Sequence, residues 1–370
     1  MKGPNSYLIG CDLTIQPLDT PALIVDLDRL ESNLATAAGL QGIRLWPHAK
    51  AHKCLEIARR QIAAGAAGIS VASVIEAERF AVEGIPRILV TSPIVSAHKI
   101  ERLCHLARSG VEIICAVNSI ENAEAISSRA RAIGQTLGAV IDLDIGMGRT
   151  GVRRAEDAVA LARHIVNTDG LRFRGVQGYS GLIQHIRSYE ERAAVYGEHV
   201  ARLRAVIERL TAEGFTTELV TGGGTGSLGV DRALQVITDC QIGSYVFMDR
   251  QYAAVQLAPE DQGIKFQHAL FVRTTIIDRS ADDRATCDAG TKALALDTPL
   301  PVPVVRPDVQ YSHFGDEHGH LRGPDLPPVG AWLDLIPAHC DPVVNLHDYL
   351  HVVRGNILVD IWPVDARGTL

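Results

Sequence analysis

From Ile43 to Met248 the chain alternates short β-branched apolar runs with longer segments in which apolar residues recur at every third and fourth position. A run of four to eight such residues suits a buried strand, and the three-to-four spacing suits a helix with one apolar face. Runs at 43–46, 69–72, 88–91, 113–117, 139–143, 173–177, 218–221 and 242–247 predict eight strands. Segments 54–64, 74–82, 120–133 and 189–212 between them predict helices. Eight strand and helix units in roughly 200 residues fit a closed (β/α)8 barrel of parallel strands, an α/β fold, rather than an open doubly wound sheet. Residues 21–28 read as one more strand with no place among the eight, followed by a helix capped by Asp28 and reaching about Leu40.

After about Lys265 the texture changes. Segments 269–277, 285–288, 331–336, 350–353 and 357–362 look like strands, separated by turns rich in Pro, Gly and Asp. The expected organisation is therefore a barrel over residues 20–265 and a mainly β second domain built from 1–19 and 266–370. The strand near 22–26 could pair with that second domain.

Composition narrows the class. With 370 residues, 46% of them hydrophobic, the chain can bury a large core. Its 36 Lys and Arg against 43 Asp and Glu give no basic excess, which argues against a nucleic-acid partner. Apolar runs fall short of the roughly 18 residues of a membrane span, and Met1 to Leu13 lacks a basic segment followed by an apolar core. A soluble cytoplasmic protein is expected. Seven scattered cysteines are odd in number and unlike a disulfide framework.

The candidate chemistry sits where barrel enzymes place theirs, after the strands. Strand one runs into Pro47-His48-Ala49-Lys50-Ala51-His52-Lys53. A lysine that is partly desolvated, or near other cations, gives up its proton more readily and can form a Schiff base with an aldehyde. Lys50 is the candidate, although the same residues also read as the opening of a solvated helix. Arg149 follows strand five in a glycine turn, and Tyr179, Ser180 and His185 follow strand six. Strand seven ends in Thr221-Gly222-Gly223-Gly224-Thr225-Gly226, where barrels commonly bind phosphate through backbone N–H groups. A reactive lysine and a phosphate cradle together suggest pyridoxal 5'-phosphate. In the second domain His339 and Asp341, two apart on an extended segment, could share a divalent ion while Cys340 faces elsewhere. As an isolated pair they read more readily as a turn with a packed histidine.

The lysine motif, the glycine loop, Asp316-Glu317-His318-Gly319 and His339-Cys340-Asp341-Pro342 occur in this order over nearly the whole chain. In that combination the chain resembles the D-threonine aldolases, fold-type III pyridoxal phosphate enzymes related to alanine racemase and D-serine dehydratase. The resemblance implies an alanine racemase-type barrel, a homodimer, and a divalent metal, Mn²⁺ or else Mg²⁺ or Co²⁺. It implies Lys50 as the Schiff-base lysine, Arg149 beside the cofactor's phenolate oxygen, Tyr179 lining the pocket and Thr221 to Thr225 cradling the phosphate. His339 and Asp341 would bind the metal and His185 would be the general base. The implied reaction is cleavage of a D-β-hydroxy-α-amino acid such as D-threonine, D-allo-threonine or D-phenylserine to glycine and an aldehyde. Competing expectations are a 3-hydroxy-D-aspartate aldolase, a D-serine or D-3-hydroxyaspartate dehydratase, an alanine racemase, and a non-catalytic carrier of the cofactor. Two positions depart from the family pattern. Trp46 stands where an arginine usually precedes Pro-His, and Ser180 where a relative can carry histidine.

Overall fold

The computed structural model describes residues 3–82, 84–259 and 264–368. Its parallel strands are β2 (Arg44–Leu45), β3 (Ile69–Val71), β4 (Arg87–Val90), β5 (Glu112–Val117), β6 (Leu137–Leu143), β7 (Leu171–Gly178), β8 (Leu219–Gly222) and β9 (Asp239–Cys240). They form one eight-stranded sheet in the order β2-β9-β8-β7-β6-β5-β4-β3. The ends meet, because Ala67 N–H donates to Leu45 O at 2.8 Å, Ser70 N–H donates to Pro47 O at 2.9 Å, and His48 bridges Ser70 in parallel. The sheet thus closes into the expected (β/α)8 barrel. All seven residues of β6 are buried, as both faces of a barrel strand must be when helices cover the outside.

Helices α2 (Leu55–Ala63), α3 (Val74–Val82), α4 (Ala97–Leu106), α5 (Ile120–Ala132), α6 (Ala155–Val166), α7 (Tyr189–Ala212) and α8 (Leu228–Leu234) form the outer layer. The start of α7 is set by Ser188, whose hydroxyl accepts from Glu191 N–H in an S-x-x-E capping pattern. No described helix is long and apolar enough to cross a membrane.

Two local expectations are corrected. Helix α1 (Leu27–Ala38) is capped by Asp26, which accepts from Arg29 N–H at 3.1 Å, and not by Asp28, which lies in its first turn. The eighth strand is Asp239–Cys240 rather than 242–247: His48 N–H still reaches Ile242 O, but Gly243 then turns the chain into a 3-10 turn at Ser244–Val246.

Strand β1 (Ala22–Asp26) joins the second sheet, lying antiparallel to β10 (Leu270–Ala281) and parallel to β16 (Tyr349–Arg354). That nine-stranded sheet also holds β11 (Arg284–Cys287), β12 (Val302–Pro303), β13 (Gln310–His313), β14 (Gly319–Arg322), β15 (Trp332–Ile336) and β17 (Ile357–Pro363). The short strands β12 to β14 carry too few apolar residues to stand out in sequence.

The two domains are joined beside the lysine motif. Asp365 accepts from Leu55 N–H at 2.7 Å at the start of α2, and Ala366 N–H donates to Lys53 O at 3.0 Å. Lys53 Nζ donates to Asn345 Oδ1 at 2.9 Å and lies 3.6 Å from buried Glu76.

Candidate active site

The ends of β2, β6, β7, β8 and β9 open on one cleft, lined among others by Lys50, Arg149, Tyr179, His185, Gly224, Thr225, Gly243, Ser244, His339 and Asp341. Lys50 follows β2 in the 3-10 turn Ala49–Ala51. Its side chain keeps 44% exposure, whereas that of Lys53 keeps 7% and points to Asn345 and Glu76. The structure therefore separates two lysines that the sequence left side by side.

The expected acidification of Lys50 is corrected. Burial disfavours its ammonium, but Asp341, with Oδ2 at 3.7 Å, and Tyr179 outweigh burial and hold Lys50 above the ordinary lysine value. The flanking histidines add no positive charge. Burial drives His48 well below its usual value and pushes His52 down to about 4. His48 instead positions the turn, its Nδ1 accepting from Lys50 N–H and its Nε2 facing Thr91 Oγ1 at 3.2 Å.

The glycine loop divides into a part packed against neighbours and a part that lines the cleft. A Cβ on Gly222 would meet Gly178 O at 2.0 Å, on Gly223 Asp231 Oδ2 at 2.4 Å, and on Gly226 Gln184 O at 2.1 Å. These glycines answer to neighbours behind the loop. Thr221, Gly222 and Gly223 are not among the cleft-lining residues, while Gly224 and Thr225 are. Gly224 N–H donates to Ser227 Oγ and Gly226 N–H to Gln184 Oε1, both at 2.9 Å. Among the described residues the N–H groups of Thr225, Gly243 and Ser244 have no partner, and all three residues line the cleft. Unpaired donors from two adjacent loops are what an anion cradle requires, so the site fits a phosphate. Gly243 and Ser244 were not singled out in sequence, where they fell inside an expected strand.

Behind this cradle Asp231 accepts from Tyr196 Oη at 2.8 Å and Ser227 Oγ at 2.7 Å, and burial pushes its carboxyl up to about 7. Unfolded, it would ionise near the ordinary value of about 3.9. Between these values the folded chain binds the extra proton, so this group's contribution to stability falls as pH rises from about 4 to about 7. Asp231→Asn removes the slope. The melting temperature of the variant relative to the unaltered protein should rise by a few degrees between about pH 4.5 and about pH 7.5, and a pH-independent difference would exclude the proton.

The metal candidates lie across the cleft. His339 is not mid-strand but the N-cap of α10 (Cys340–Val344), so Asp341 occupies a helical first turn, not the expected extended position. The pair still converges, with His339 Nε2 3.7 Å from Asp341 Oδ1. Cys340 does not face away. Its sulfur, the His339 ring and Asp249 place ligand atoms within 4.8 Å of one another. Asp249 was missed in sequence. It caps α9 (Arg250–Ala253), and its Oδ2 also accepts from His339 Nδ1 at 2.8 Å and Cys340 N–H at 2.9 Å. A carboxylate holding Nδ1 leaves Nε2 free to ligate. Burial disfavours the His339 imidazolium, but Asp249 and Asp341 raise it above its ordinary value, and the same negative field attracts a divalent cation. His339 Nε2 with a carboxylate is a donor set suited to such an ion.

His185 lies in the turn before α7, with its ring centroid 4.8 Å from that of Tyr252 and 6.2 Å from that of His339. Burial and the neighbouring His339 hold it below the ordinary histidine value, leaving a neutral ring that can accept a proton. Tyr252 lines the cleft and carried no sequence signal. Arg149 stands over the Tyr179 ring at 5.3 Å. Trp46 lies in the barrel interior, donating to Asp239 Oδ1 at 2.9 Å, and buried Ser180 bonds His199 Nδ1 at 3.0 Å. Asp316, Glu317 and His318 form an exposed turn outside the cleft lining.

Residues 25–251 match the alanine racemase N-terminal domain, and residues 269–353 match the serine dehydratase domain. A D-threonine aldolase from Arthrobacter sp. is 39% identical over 95% of this chain and 93% of its own. The chain belongs to the D-threonine aldolase family. Within it, a solved D-threonine aldolase from Filomicrobium marinum superposes with a TM-score of 0.92 at 40% identity, covering 95% of this chain and 97% of that one. A 3-hydroxy-D-aspartate aldolase from Paracoccus denitrificans (strain Pd 1222) is 36% identical over 98% of this chain and 97% of its own. The family match spans both domains, so it includes the second-domain residues that reach the cleft.

Proposed function

We propose that this member of the D-threonine aldolase family is a carbon-carbon lyase, cleaving D-β-hydroxy-α-amino acids to glycine and an aldehyde with pyridoxal 5'-phosphate and a divalent metal. The observation that carries the reading is convergence: Lys50, the unpaired amides of Thr225, Gly243 and Ser244, and the pair His339 and Asp341 all face one cleft. Lys50 would attach the cofactor's aldehyde carbon, with Arg149 beside its ring oxygen and Tyr179 along its face. The phosphate would rest on Gly224, Thr225, Gly243 and Ser244, supported from behind by Thr221 to Gly223. His339 and Asp341 would hold Mn²⁺ or a similar ion, with Asp249 fixing the His339 ring.

When bound, the cofactor supplies an electron sink for the pair released from the Cα–Cβ bond, and the metal supplies Lewis-acid charge near the β-hydroxyl. His185 accepts the hydroxyl proton at a ring nitrogen, and Tyr252 packs against it to fix the ring. A neutral ring at that position suits removal of the hydroxyl proton.

Incubation with D-threonine, Mn²⁺ and the cofactor should yield glycine and acetaldehyde. Formation of 2-oxobutyrate and ammonia would replace this reading with the dehydratase one. EDTA should abolish turnover without releasing the cofactor, and Mn²⁺ should restore it. Full activity after exhaustive chelation, with no metal in elemental analysis, would leave His339 and Asp341 as a structural pair. Parallel assays with D-phenylserine and D-3-hydroxyaspartate rank the β-substituents.

A further inference from the structure

Across the floor of the cleft runs a chain of side-chain amides whose direction is fixed. Gln177 Nε2 donates to both Thr91 O and Asp142 Oδ1 at 2.8 Å. Both partners are acceptors, so the reversed amide would set its oxygen against two oxygens, and Gln177 must present Oε1 to its other neighbour. Thr91 O is a carbonyl, which keeps this orientation whatever the charge on Asp142. Gln241 Nε2 then donates to Gln177 Oε1 at 3.1 Å, and its second proton goes to Thr221 Oγ1 at 2.9 Å. Thr221 has already given its own proton to Asp239 O at 3.0 Å, so it can only accept. Both amide protons of Gln241 are thus used. Gln241 Oε1 has no partner among the described residues, although the residue is only 6% exposed and its remaining exposure is to the cleft it lines.

On the reading of the site as a pyridoxal phosphate centre, the cofactor's aldehyde carbon, phosphate and ring oxygen have candidates in Lys50, the paired loops and Arg149. Its ring nitrogen has none. We propose that Gln241 Oε1 faces this nitrogen as an obligatory hydrogen-bond acceptor, so that the protein holds the ring protonated. An amide oxygen can bond that nitrogen only if the nitrogen carries the proton. The chain behind it strengthens the acceptor, because each donated bond in the series polarises the next. A protonated ring withdraws electrons more strongly, which suits a reaction that must accept the pair from a carbon-carbon bond. Gln177 is a positioning residue in this scheme, acting through Gln241.

The test is ¹⁵N NMR of the full-length holoprotein loaded with cofactor labelled at the ring nitrogen. The expected signal lies in the pyridinium range and stays there over the pH range in which the protein is folded. Gln241→Glu should keep it there, Gln241→Arg should move it to the unprotonated pyridine range, and Gln177→Leu should lower the pH at which the proton is lost. A bound cofactor whose nitrogen in the unaltered protein resonates as free pyridine overturns this proposal alone. A protein that binds no cofactor overturns the reading of the site and the proposal with it.

Discussion

Lys50→Ala is expected to abolish the visible absorbance of the bound cofactor and to lower turnover by at least about 10³-fold, the scale of losing a covalent attachment that also orients the reacting carbon. The protein should remain folded, because Lys50 is part-exposed and its charged partner, Asp341, keeps His339 nearby. Lys53→Ala should do the reverse. It leaves Glu76 buried without its cation, a loss on the order of 3–5 kcal/mol for a broken buried pair, while the absorbance band survives in whatever fraction stays folded. A band that persists in Lys50→Ala and vanishes in Lys53→Ala would transfer the attachment to Lys53.

The second large effect is at His185. His185→Asn should lower kcat by about 10²- to 10⁴-fold, the usual contribution of a positioned general base, with cofactor loading and D-substrate binding retained. Because the proposed base acts on the β-hydroxyl, the variant should still exchange the α-proton of glycine slowly, a reaction that needs no hydroxyl deprotonation. Near-normal kcat for aldol cleavage would remove His185 from the role and direct attention to Tyr252, its ring neighbour at 4.8 Å.

Much of this was legible in sequence because barrel strands carry a strong local signal. β-branched runs such as Ile113 to Val117 are buried on both faces and announce themselves without tertiary knowledge. The lysine motif and the glycine loop stood out because each follows such a run, whereas the roles expected of Arg149, Tyr179 and His185 came from the family resemblance. What failed was local geometry under tertiary control. Gly243 ends the eighth strand early, so the cleft-lining amides of Gly243 and Ser244 were hidden in an expected β run. His339 became a helix cap because Asp249, some 90 positions away, draws in both its ring and the next amide. The lysine's proton affinity was misjudged for the same reason. Its ion-pair partner, Asp341, comes from the other domain. Asp249, Tyr252 and Gln241 are ordinary residues in the linear chain, and only their partners give them meaning.

The joint between the domains bears on how this architecture can be re-engineered. Leu55 N–H, at the head of the helix that follows the lysine turn, depends on Asp365, and Lys53 depends on Asn345. The barrel borrows its local finish from the far end of the chain. An excised barrel would lose the cap and the lysine's partner together with His339 and Asp341, and so would not be half an enzyme awaiting complementation. Grafting a second domain from a relative likewise succeeds only if the graft brings counterparts of Asn345 and Asp365, positions outside any alignment of catalytic motifs. A crossover at the domain boundary would part Leu55 from Asp365 and Lys53 from Asn345.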